Sequence, residues 1–126
     1  QVVPALIHAF ADAEQNVRTT ASLSIVSMGK STVPFLIDVF GSPNADVRQQ
    51  AAFALGEIGQ PLDLIIPVLI GNLDDREWNV RRVSVRALLN IGQPAVAQLT
   101  EALNHGDRET QRTARIALDQ MSHRKR

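Results

Sequence analysis

Residues 46–59 read DVRQQAAFALGEIG, and residues 79–92, which lie 33 positions later, read NVRRVSVRALLNIG. Within each stretch small and apolar residues recur at intervals of three and four, the period of one face of an α-helix. In the first stretch this face consists of Val47, Ala51, Ala54, Leu55 and Ile58. Its small members allow neighbouring helices to approach closely, and its larger members fill the space between them. The two stretches therefore predict two amphipathic helices that pack in the same way.

The same helix occurs four times, each time preceded by a second apolar block. The Val-Arg pair of the quoted stretch stands at 17–18, 47–48 and 80–81, and its fourth copy is Thr110-Gln111. The preceding blocks begin, in order, at Val3, Val33, Ile66 and Val96. Successive blocks are 30, 33 and 30 residues apart. The chain is therefore predicted to contain four units of two helices, here named the A helix and the B helix, spanning about 2–30, 31–62, 63–93 and 94–122.

Proline and glycine mark the predicted ends of these helices. Prolines stand where three A helices begin, at Pro4, Pro34 and Pro67. Proline is tolerated in a first turn, because the N–H that it lacks has no partner there. Glycines stand where three B helices end, a place that favours a left-handed residue, at Gly29, Gly59 and Gly92. The three additional residues of the longer spacing are predicted to form a loop insertion around Gln60, Pro61, Leu62 and Asp63.

The quoted B helix also carries a family signature. Residues 46–59 resemble the short HEAT-like repeat named after phycobilisome lyase subunits, and residues 80–92 are similar, with two substituted positions. A hairpin of about 30 residues cannot bury its apolar stripe alone, so units of this kind stack side by side. The resemblance implies an all-α, armadillo-like fold. The expected fold is a right-handed α-solenoid of four helical hairpins, in which residues 1–126 form a single domain.

The two ends of the predicted array differ. The last unit replaces apolar positions with polar ones, as expected of a capping repeat, at Arg115, Asp119 and Ser122. The first unit has no such cap, and the chain begins inside an apolar helical pattern. We therefore expect the C-terminal part of a longer array. Its first A helix is expected to present an apolar face, covered by an upstream repeat or by a second copy through self-association, made of Val3, Leu6 and Phe10.

The composition narrows the classes of protein. Apolar residues make up 44% of the 126 residues, and 13 basic groups balance 13 acidic ones, which is typical of a globular domain. The absence of cysteine excludes disulfides, thiolate metal sites and a cysteine nucleophile. No uninterrupted apolar run approaches the roughly 20 residues of a membrane span. We expect a cytoplasmic protein with no membrane contact.

Residue patterns that carry catalysis or bind cofactors are absent from the sequence. His8, His105 and His123 are far apart, and none has a second histidine at a metal-ligand spacing. There is no glycine-rich phosphate loop, nucleophile elbow or carboxylate pair. The iron-binding enzyme of the resembled class, which hydroxylates deoxyhypusine, relies on His-Glu dipeptides that this chain lacks. We therefore predict a protein without cofactor, metal or catalytic residues; the resemblance to lyase subunits is the one indication of an enzyme.

The resemblance places the B helices on the concave side of the solenoid. The B-helix positions that stay outside the core are the second, third, sixth and tenth after each Val column, which share one helix face. Their side chains mix aromatic, amide and guanidinium groups, and Trp78 stands just before Val80 at the start of the third B helix. The predicted partner-binding residues are Leu23, Gln49, Gln50, Phe53, Glu57, Trp78, Arg82, Arg86, Asn90 and Arg112. Tryptophan and arginine often dominate interface energetics, so the centre is expected at Phe53, Trp78, Arg82 and Arg86.

A purely structural interpretation competes with this one. Trp78 could seal a loop, and the arginines could pair with carboxylates of adjacent repeats. For the arginine of the Val-Arg column we favour structure, because a residue that recurs at one structural place suits a ladder of bonds between repeats. The ladder is predicted to join Arg18, Arg48 and Arg81 to Asp12, Asp74 or Asp75.

Three functions remain at this point. The first is a scaffold or adaptor that binds a protein or peptide, presenting an apolar anchor and acidic neighbours, on the concave B-helix face. The second, carried only by the resemblance, is a subunit of a bilin-chromophore lyase or a related maturation factor. The third is nucleic-acid binding through Arg82, Arg86 and Arg112. The third is disfavoured, because the isoelectric point is near 7.0, whereas nucleic-acid binders exceed about 9.

Overall fold

The structure is a computed structural model that describes residues 2–124. Over this range it is all-α, and no β-strand occurs in it. The α-helices are α1 (Val2–His8), α2 (Gln15–Met28), α3 (Val33–Asp38), α4 (Ala45–Ile58), α5 (Leu62–Gly71), α6 (Trp78–Ile91), α7 (Val96–His105) and α8 (Arg108–Arg124). The A helices of the sequence are α1, α3, α5 and α7, and the B helices are α2, α4, α6 and α8. The predicted order of elements is confirmed.

The helices form two layers. Each odd-numbered helix packs on the even-numbered helix that follows it, so the chain folds as four successive hairpins. The even-numbered helices also pack in series, α2 on α4, α4 on α6 and α6 on α8. Contacts of this kind, in which each hairpin touches mainly its neighbours, define a helical solenoid. The predicted fold class is confirmed.

The core runs between the two layers. Its A-helix contribution is one leucine column, whose members Leu36, Leu69 and Leu99 are fully buried. Its B-helix contribution is the matching column of Ile25, Leu55 and Leu88, also fully buried. Equivalent residues of successive hairpins thus occupy equivalent places in the core. The core is continuous because each hairpin buries its apolar stripe against the neighbouring hairpins.

Glycine ends three of the B helices as predicted. The backbone is left-handed at Gly59, with a φ of 65°, and φ is also positive at Gly29 and Gly92. Each of the three N–H groups donates to a carbonyl in the last turn of its helix. Within residues 2–124 no other residue type has a positive φ. Glycine avoids the steric cost that a Cβ would meet in this region.

The structure corrects half of the predicted loop: Gln60 and Pro61 lie outside the helices, whereas Leu62 and Asp63 form the start of α5. Helix α5 begins at Leu62, directly after Pro61, so Pro67 lies inside the helix and not in its first turn. An interior proline removes one hydrogen bond and costs about 3 kcal/mol. The additional helical turn buries Ile65 completely. The gain in apolar burial therefore outweighs the local preference of proline for a helix start.

The first A helix does not expose its apolar face, which corrects another expectation. Val3 and Phe10 are buried against the chain itself, and Leu6 is half-buried. The apolar edge of the first hairpin lies instead on α2, where Val17 is 38% exposed. Its equivalents at the same helix position in the second and third hairpins are only 8% and 0% exposed, because a preceding B helix covers them.

The arginine ladder is present in two distinct layers of bonds. Inside each of the first three hairpins, the arginine Nη1 donates to the backbone carbonyl six residues earlier, at 2.6–2.7 Å. The three pairs are Arg18 with Asp12, Arg48 with Ser42, and Arg81 with Asp75. These bonds hold the loop between the A and B helices in one conformation.

Between hairpins the ladder uses carboxylates. The guanidinium of Arg48 donates to both carboxylate oxygens of Asp75 in the next loop, at 2.9 and 3.1 Å. Arg81 lies 3.6 Å from Glu109 of the fourth hairpin. The predicted pairing is thus confirmed for Arg48. Among the described residues Arg18 bonds backbone carbonyls and no carboxylate, and Asp74 lies beside the carboxyl group of Asp107.

One segment has enough length and apolar character to cross a membrane. It spans Gln15–Gly41 and reaches a mean hydropathy of 1.3. In the structure it is divided between α2 and α3, which belong to successive hairpins, with the chain turning at Gly29. The segment is therefore two core helices of the solenoid and not one continuous span.

Candidate functional site

A groove of about 610 Å³ lies between α6 and α8. Its α6 wall consists of Trp78, Arg81, Arg82, Val85, Arg86 and Leu89. Its α8 wall consists of Glu109, Arg112, Thr113, Ile116, Gln120, His123 and Arg124. Both walls are B helices, and the groove is therefore a feature of the face on which the sequence analysis placed the partner.

The groove opens here because the spacing of the B helices depends on side-chain size. Between α4 and α6 the approach is close: a Cβ added to Gly56 would lie 2.5 Å from the Cβ of Ala87. The corresponding positions on α6, which face α8, carry Val85 and Leu89. Larger side chains at this contact keep the helices further apart. The α6–α8 junction thus has a cleft along its walls, whereas Gly56 and Ala87 hold α4 and α6 in contact.

The α6 wall presents an exposed aromatic ring with an arginine stacked on it. Trp78 is 63% exposed at the first position of α6. The guanidinium carbon of Arg82 lies 5.2 Å from the centroid of the Trp78 ring, a cation–π geometry. The two residues are four positions apart, so they occupy neighbouring turns of one helix face. Arg86 continues the same face one turn further along.

The α8 wall is organised around Glu109. Its carboxylate Oε2 lies 3.6 Å from Arg81 across the groove and 3.6 Å from Arg112 on the same helix. The same oxygen accepts a hydrogen bond from the hydroxyl of Thr113 at 3.2 Å. Ile116, one turn beyond Arg112, is exposed. The wall therefore combines one committed carboxylate, an exposed guanidinium and an exposed aliphatic side chain.

The charge of the groove is strongly positive. Among its lining residues five carry a guanidinium, and only Glu109 carries a carboxylate. Arg86 makes no ion pair or hydrogen bond with any residue that the structure describes. An exposed cation beside apolar side chains is available to an anionic group of a ligand, since guanidinium binds carboxylate or phosphate through parallel hydrogen bonds.

The structure separates the predicted site residues into two sets. Trp78, Arg82, Arg86 and Arg112 line the α6–α8 groove. The remaining six lie elsewhere on the B-helix face: Leu23, Gln49, Gln50, Phe53, Glu57 and Asn90. The groove is therefore displaced towards the C-terminal hairpins relative to the predicted centre around Phe53, which is half-buried on α4.

Several members of this second set are engaged within the protein. The amide oxygen of Gln50 accepts a hydrogen bond from Ser22. The amide of Asn90 donates to the carboxylate of Glu57 at 3.0 Å, which links α6 to α4. Leu23 is exposed on α2. The bonded residues support the stacking of hairpins, a role that the position pattern alone does not distinguish from partner binding.

Sequence reasoning missed the apolar floor of the groove. Val85 and Leu89 occupy positions where the quoted helix has Ala52 and Gly56. The change from small to large at both places was visible in the aligned copies and indicates a wider helix spacing. Gln120, although on the predicted face, was not among the residues singled out.

Two carboxyl groups meet beside the groove. Partial burial raises the pKa of Asp74 above its ordinary value of 3.8, and the hydrogen bond and negative charge of Asp107 raise it further. The pKa of Asp107 is lowered, because its carboxylate accepts hydrogen bonds from Thr110. In the part of the chain that the structure describes, no cluster of three or more His, Cys, Asp or Glu could hold a metal ion. The pair is a contact between two loops.

Comparison with known proteins agrees with this architecture. The family of HEAT repeats matches residues 3–69 and 66–125. A phycobilisome maturation protein of Synechococcus elongatus (strain ATCC 33912 / PCC 7942 / FACHB-805) is 33% identical over 95 residues, which is 75% of this chain and 44% of that protein. The structure of human deoxyhypusine hydroxylase in complex with glycerol superposes with a TM-score of 0.64 and 23% identity, over 95% of this chain and 43% of that one.

The chain thus spans less than half the length of each of these two proteins. The likeness to the hydroxylase is a likeness of fold. The two matched ranges together cover residues 3–125, and the four hairpins of the structure are built in the same manner. This chain therefore belongs to the HEAT-repeat family.

Proposed function

We propose that this chain is a non-catalytic binding module that holds a protein partner on its B-helix face, with the α6–α8 groove as the main contact. The single observation that carries the proposal is the combination in that groove of an exposed tryptophan, exposed guanidinium groups and an aliphatic floor. Tryptophan and arginine are enriched among the residues that dominate the energy of protein interfaces, and the aliphatic floor adds apolar area that a partner can bury. HEAT-type solenoids offer extended surfaces suited to such binding.

The purely structural interpretation accounts for these residues less well. A tryptophan that sealed a loop would be buried, whereas Trp78 is the most exposed of the large apolar side chains described. The nearest carboxylate to Arg112 is the shared Glu109, at 3.6 Å. Arg86 has no partner within the described residues. Arg48 and Arg81 each bond a loop carbonyl and a carboxylate of the next hairpin, whereas Arg86 has neither kind of bond within the described residues.

A second candidate is a role in phycobilisome maturation, as a bilin lyase subunit or a related factor. The observation that favours it is the 33% identity with a protein of that name. Such a factor also has to hold a protein, so the two candidates share the groove and differ in the partner. Binding of a bilin to this chain, measured as a change in the bilin absorption spectrum, would favour the second candidate.

The proposal is tested by photo-crosslinking from two matched positions. Ile116 in the groove and Leu64 on α5 are exposed to similar extents, 43% and 45%. A benzophenone amino acid is placed at one position or the other, and both variants are irradiated in an extract of cells that produce the protein. We expect a crosslinked protein from position 116 that is absent from position 64. It should disappear when Arg86→Ala and Trp78→Ala are added.

Equal crosslinking from both positions, or none from position 116, would contradict the assignment of the groove. Circular dichroism and thermal melting of each variant serve as controls for folding. Because the substituted side chains are exposed, melting should change little.

We also propose that the hairpins defined here are the units of a longer stack, and that the open edge of the first hairpin associates with another unit or with a second copy. The apolar exposure of Val17 and Met28 supports this. At the equivalents of Val17 in the next two hairpins, Val47 and Val80, the side chain is buried.

A further inference from the structure

We infer that the α6–α8 groove binds an acidic amphipathic helix of a partner protein. This inference rests on the proposed function and adds the chemistry of the partner. The groove supplies charges on both walls and an aliphatic floor between them, and a helix with a leucine-type stripe flanked by carboxylates is the complement of that arrangement.

The charges point to an acidic segment. Arg82 and Arg86 project from α6, and Arg112 projects from α8 on the opposite side of the cleft; all three are exposed. Arg124 lies at the far end of the groove. Carboxylates on both flanks of a bound segment would therefore each find a guanidinium, whereas a basic segment would be repelled along the entire groove.

The floor points to an aliphatic stripe. Val85 and Leu89 are one helical turn apart on α6, and Ile116 faces them from α8. A bound helix presents side chains at i, i+3 or i+4 and i+7, spaced by the same turn of about 5.4 Å. Two or three consecutive members of that stripe can enter the groove together. Burial of each would contribute through the hydrophobic effect.

The walls favour a helix over an extended peptide. The backbone N–H groups that an extended segment turns into the groove lose their water partners, so they need acceptors from the groove. The carboxylate of Glu109 is already shared by Arg81, Arg112 and Thr113, and Gln120 is the only amide side chain among the lining residues. A helix satisfies its own backbone and needs only side-chain contacts.

The floor also favours a protein over a nucleic acid. Phosphate groups would meet the arginines, but the accessible aliphatic surface of Leu89 and Ile116 would remain without an apolar partner. The formal net charge of the chain is zero, whereas nucleic-acid binding relies on a broad basic surface. Binding of duplex DNA is therefore an alternative outcome that the experiment tests.

The experiment uses the entire chain and three designed, fluorescein-labelled peptides about four helical turns long, matching the 14 residues of α6. The first peptide has leucine at helical spacing and glutamate elsewhere. The second replaces glutamate with lysine, and the third replaces leucine with serine. We expect fluorescence anisotropy to show that the first binds at least about tenfold more tightly than either control, which corresponds to one or two lost charge or apolar contacts.

Variants of the protein locate the binding. Arg82→Glu and Arg86→Glu are each expected to weaken binding of the acidic helix about tenfold or more, because a favourable charge becomes repulsive. The matched control is Arg115→Glu, since Arg115 is an exposed arginine of α8 that does not line the groove. This control should leave affinity within about twofold. Ile116→Ser should weaken binding of the leucine peptide and leave the serine peptide unaffected.

Two kinds of result would overturn the inference. The first is the absence of charge selectivity, seen either as equally tight binding of the lysine and glutamate peptides or as an Arg86→Glu variant that binds like the parent. The other is tight binding of duplex DNA with a steep dependence on salt and no binding of the acidic helix. If the crosslink from position 116 persists while the acidic helix fails to bind, the partner chemistry is wrong and the binding module stands. If both fail, both proposals fall.

Discussion

Ser84 and Ser22 are two buried serines of the B-helix layer that differ in one hydrogen bond. Ser22 donates its hydroxyl to Gln50 of the next hairpin, whereas the hydroxyl of Ser84 has no partner among the described residues. The positions equivalent to Ser84 in the other three hairpins are alanines: Ala21, Ala51 and Ala114. A buried hydroxyl without a partner lowers stability by about 1–3 kcal/mol.

We expect Ser84→Ala to raise the free energy of unfolding by about 1 kcal/mol, because the orphan hydroxyl is removed and alanine favours the helix. Ser22→Ala is the matched control and should lower it by about 1 kcal/mol, since Gln50 loses its partner. Urea denaturation of the two variants measures both values. A destabilised Ser84→Ala variant would show that its hydroxyl is hydrogen-bonded in solution.

The Arg48–Asp75 pair is the most buried charge interaction described, with side chains 5% and 8% exposed. Burial alone would raise the pKa of Asp75, but the hydrogen bonds from Arg48 and from the N–H of Glu77, with the positive charge of Arg48, outweigh it and lower the pKa. A lowered pKa means that the folded state favours the carboxylate. Its stabilisation is therefore present above the ordinary value of 3.8 and is lost as the pH falls through the folded pKa.

We expect Arg48→Met to lower the free energy of unfolding at neutral pH by about 3–5 kcal/mol, because it leaves a buried carboxylate unpaired. Arg18→Met is the control from the first hairpin. Arg18 bonds only exposed backbone carbonyls, so its loss should be about 1 kcal/mol or less. Denaturation between neutral pH and about pH 3 should show the Arg48→Met defect shrinking as Asp75 becomes protonated. A defect independent of pH would assign the effect to packing.

At the scale of helices, the α4–α6 contact shows how residue size sets the spacing of the solenoid. A Cβ built on Gly56 would lie 2.5 Å from the Cβ and 2.7 Å from the Cα of Ala87. Both distances are too short for any side chain, so the two helices are in contact through backbone and methyl group. The groove exists at the next junction because Val85 and Leu89 prevent an equally close approach there.

We expect Gly56→Ala to destabilise the protein by about 1–3 kcal/mol, because overpacking forces α4 and α6 apart and outweighs the better helix propensity of alanine. Gly71→Ala is the matched control at the end of α5, where an added Cβ meets no atom within 4 Å. It should be neutral or slightly stabilising. Thermal unfolding compares the two variants, and equal melting temperatures would indicate that the junction adapts without cost.

Helix α5 shows where local signals and tertiary packing disagree. Pro67 and the insertion around Pro61 indicated a loop followed by a helix start. The same reasoning was correct at Pro4 and Pro34, which lie in the first turns of α1 and α3. Tertiary burial of Ile65 extends the helix backwards past the proline. The preference of proline for the first turn of a helix depends on that helix alone. It therefore does not take account of the apolar surface that a neighbouring hairpin offers.

At the scale of the entire molecule, the solenoid has one apolar edge without a neighbour. Val17 and Met28 on α2 are 38% and 43% exposed, while the equivalents of Val17 are covered. We expect the isolated chain to self-associate through this edge, so that its sedimentation coefficient rises with concentration. Val17→Lys with Met28→Lys should abolish the rise, because burial of two charges in the contact is unfavourable.

Leu64→Lys serves as the control for this measurement. Leu64 is similarly exposed but lies on α5, in the other layer and in another hairpin. Self-association should persist in this variant. A parent protein that sediments as a monomer at every concentration would contradict the proposed role of the edge.

The sequence by itself determined the all-α class, the order of A and B helices, the glycine-ended turns and the apolar face of the B helices. These features follow from the helical period of the apolar pattern and from the backbone preferences of glycine and proline. Both signals recur along the four units of the chain. It also anticipated the pairing of Arg48 with a carboxylate of the next loop, since a repeated polar residue at one place implies a repeated partner.

Only the tertiary structure decided where the groove of the B-helix layer opens. The predicted row treats every B helix alike, but the distance between neighbouring helices depends on both side chains at each contact. Gly56 against Ala87 closes one junction, and Val85 with Leu89 opens the next. The burial of Val3 and Phe10 and the helical start at Leu62 have the same origin. Each depends on apolar surface supplied by residues distant in sequence, which periodicity within one helix does not contain.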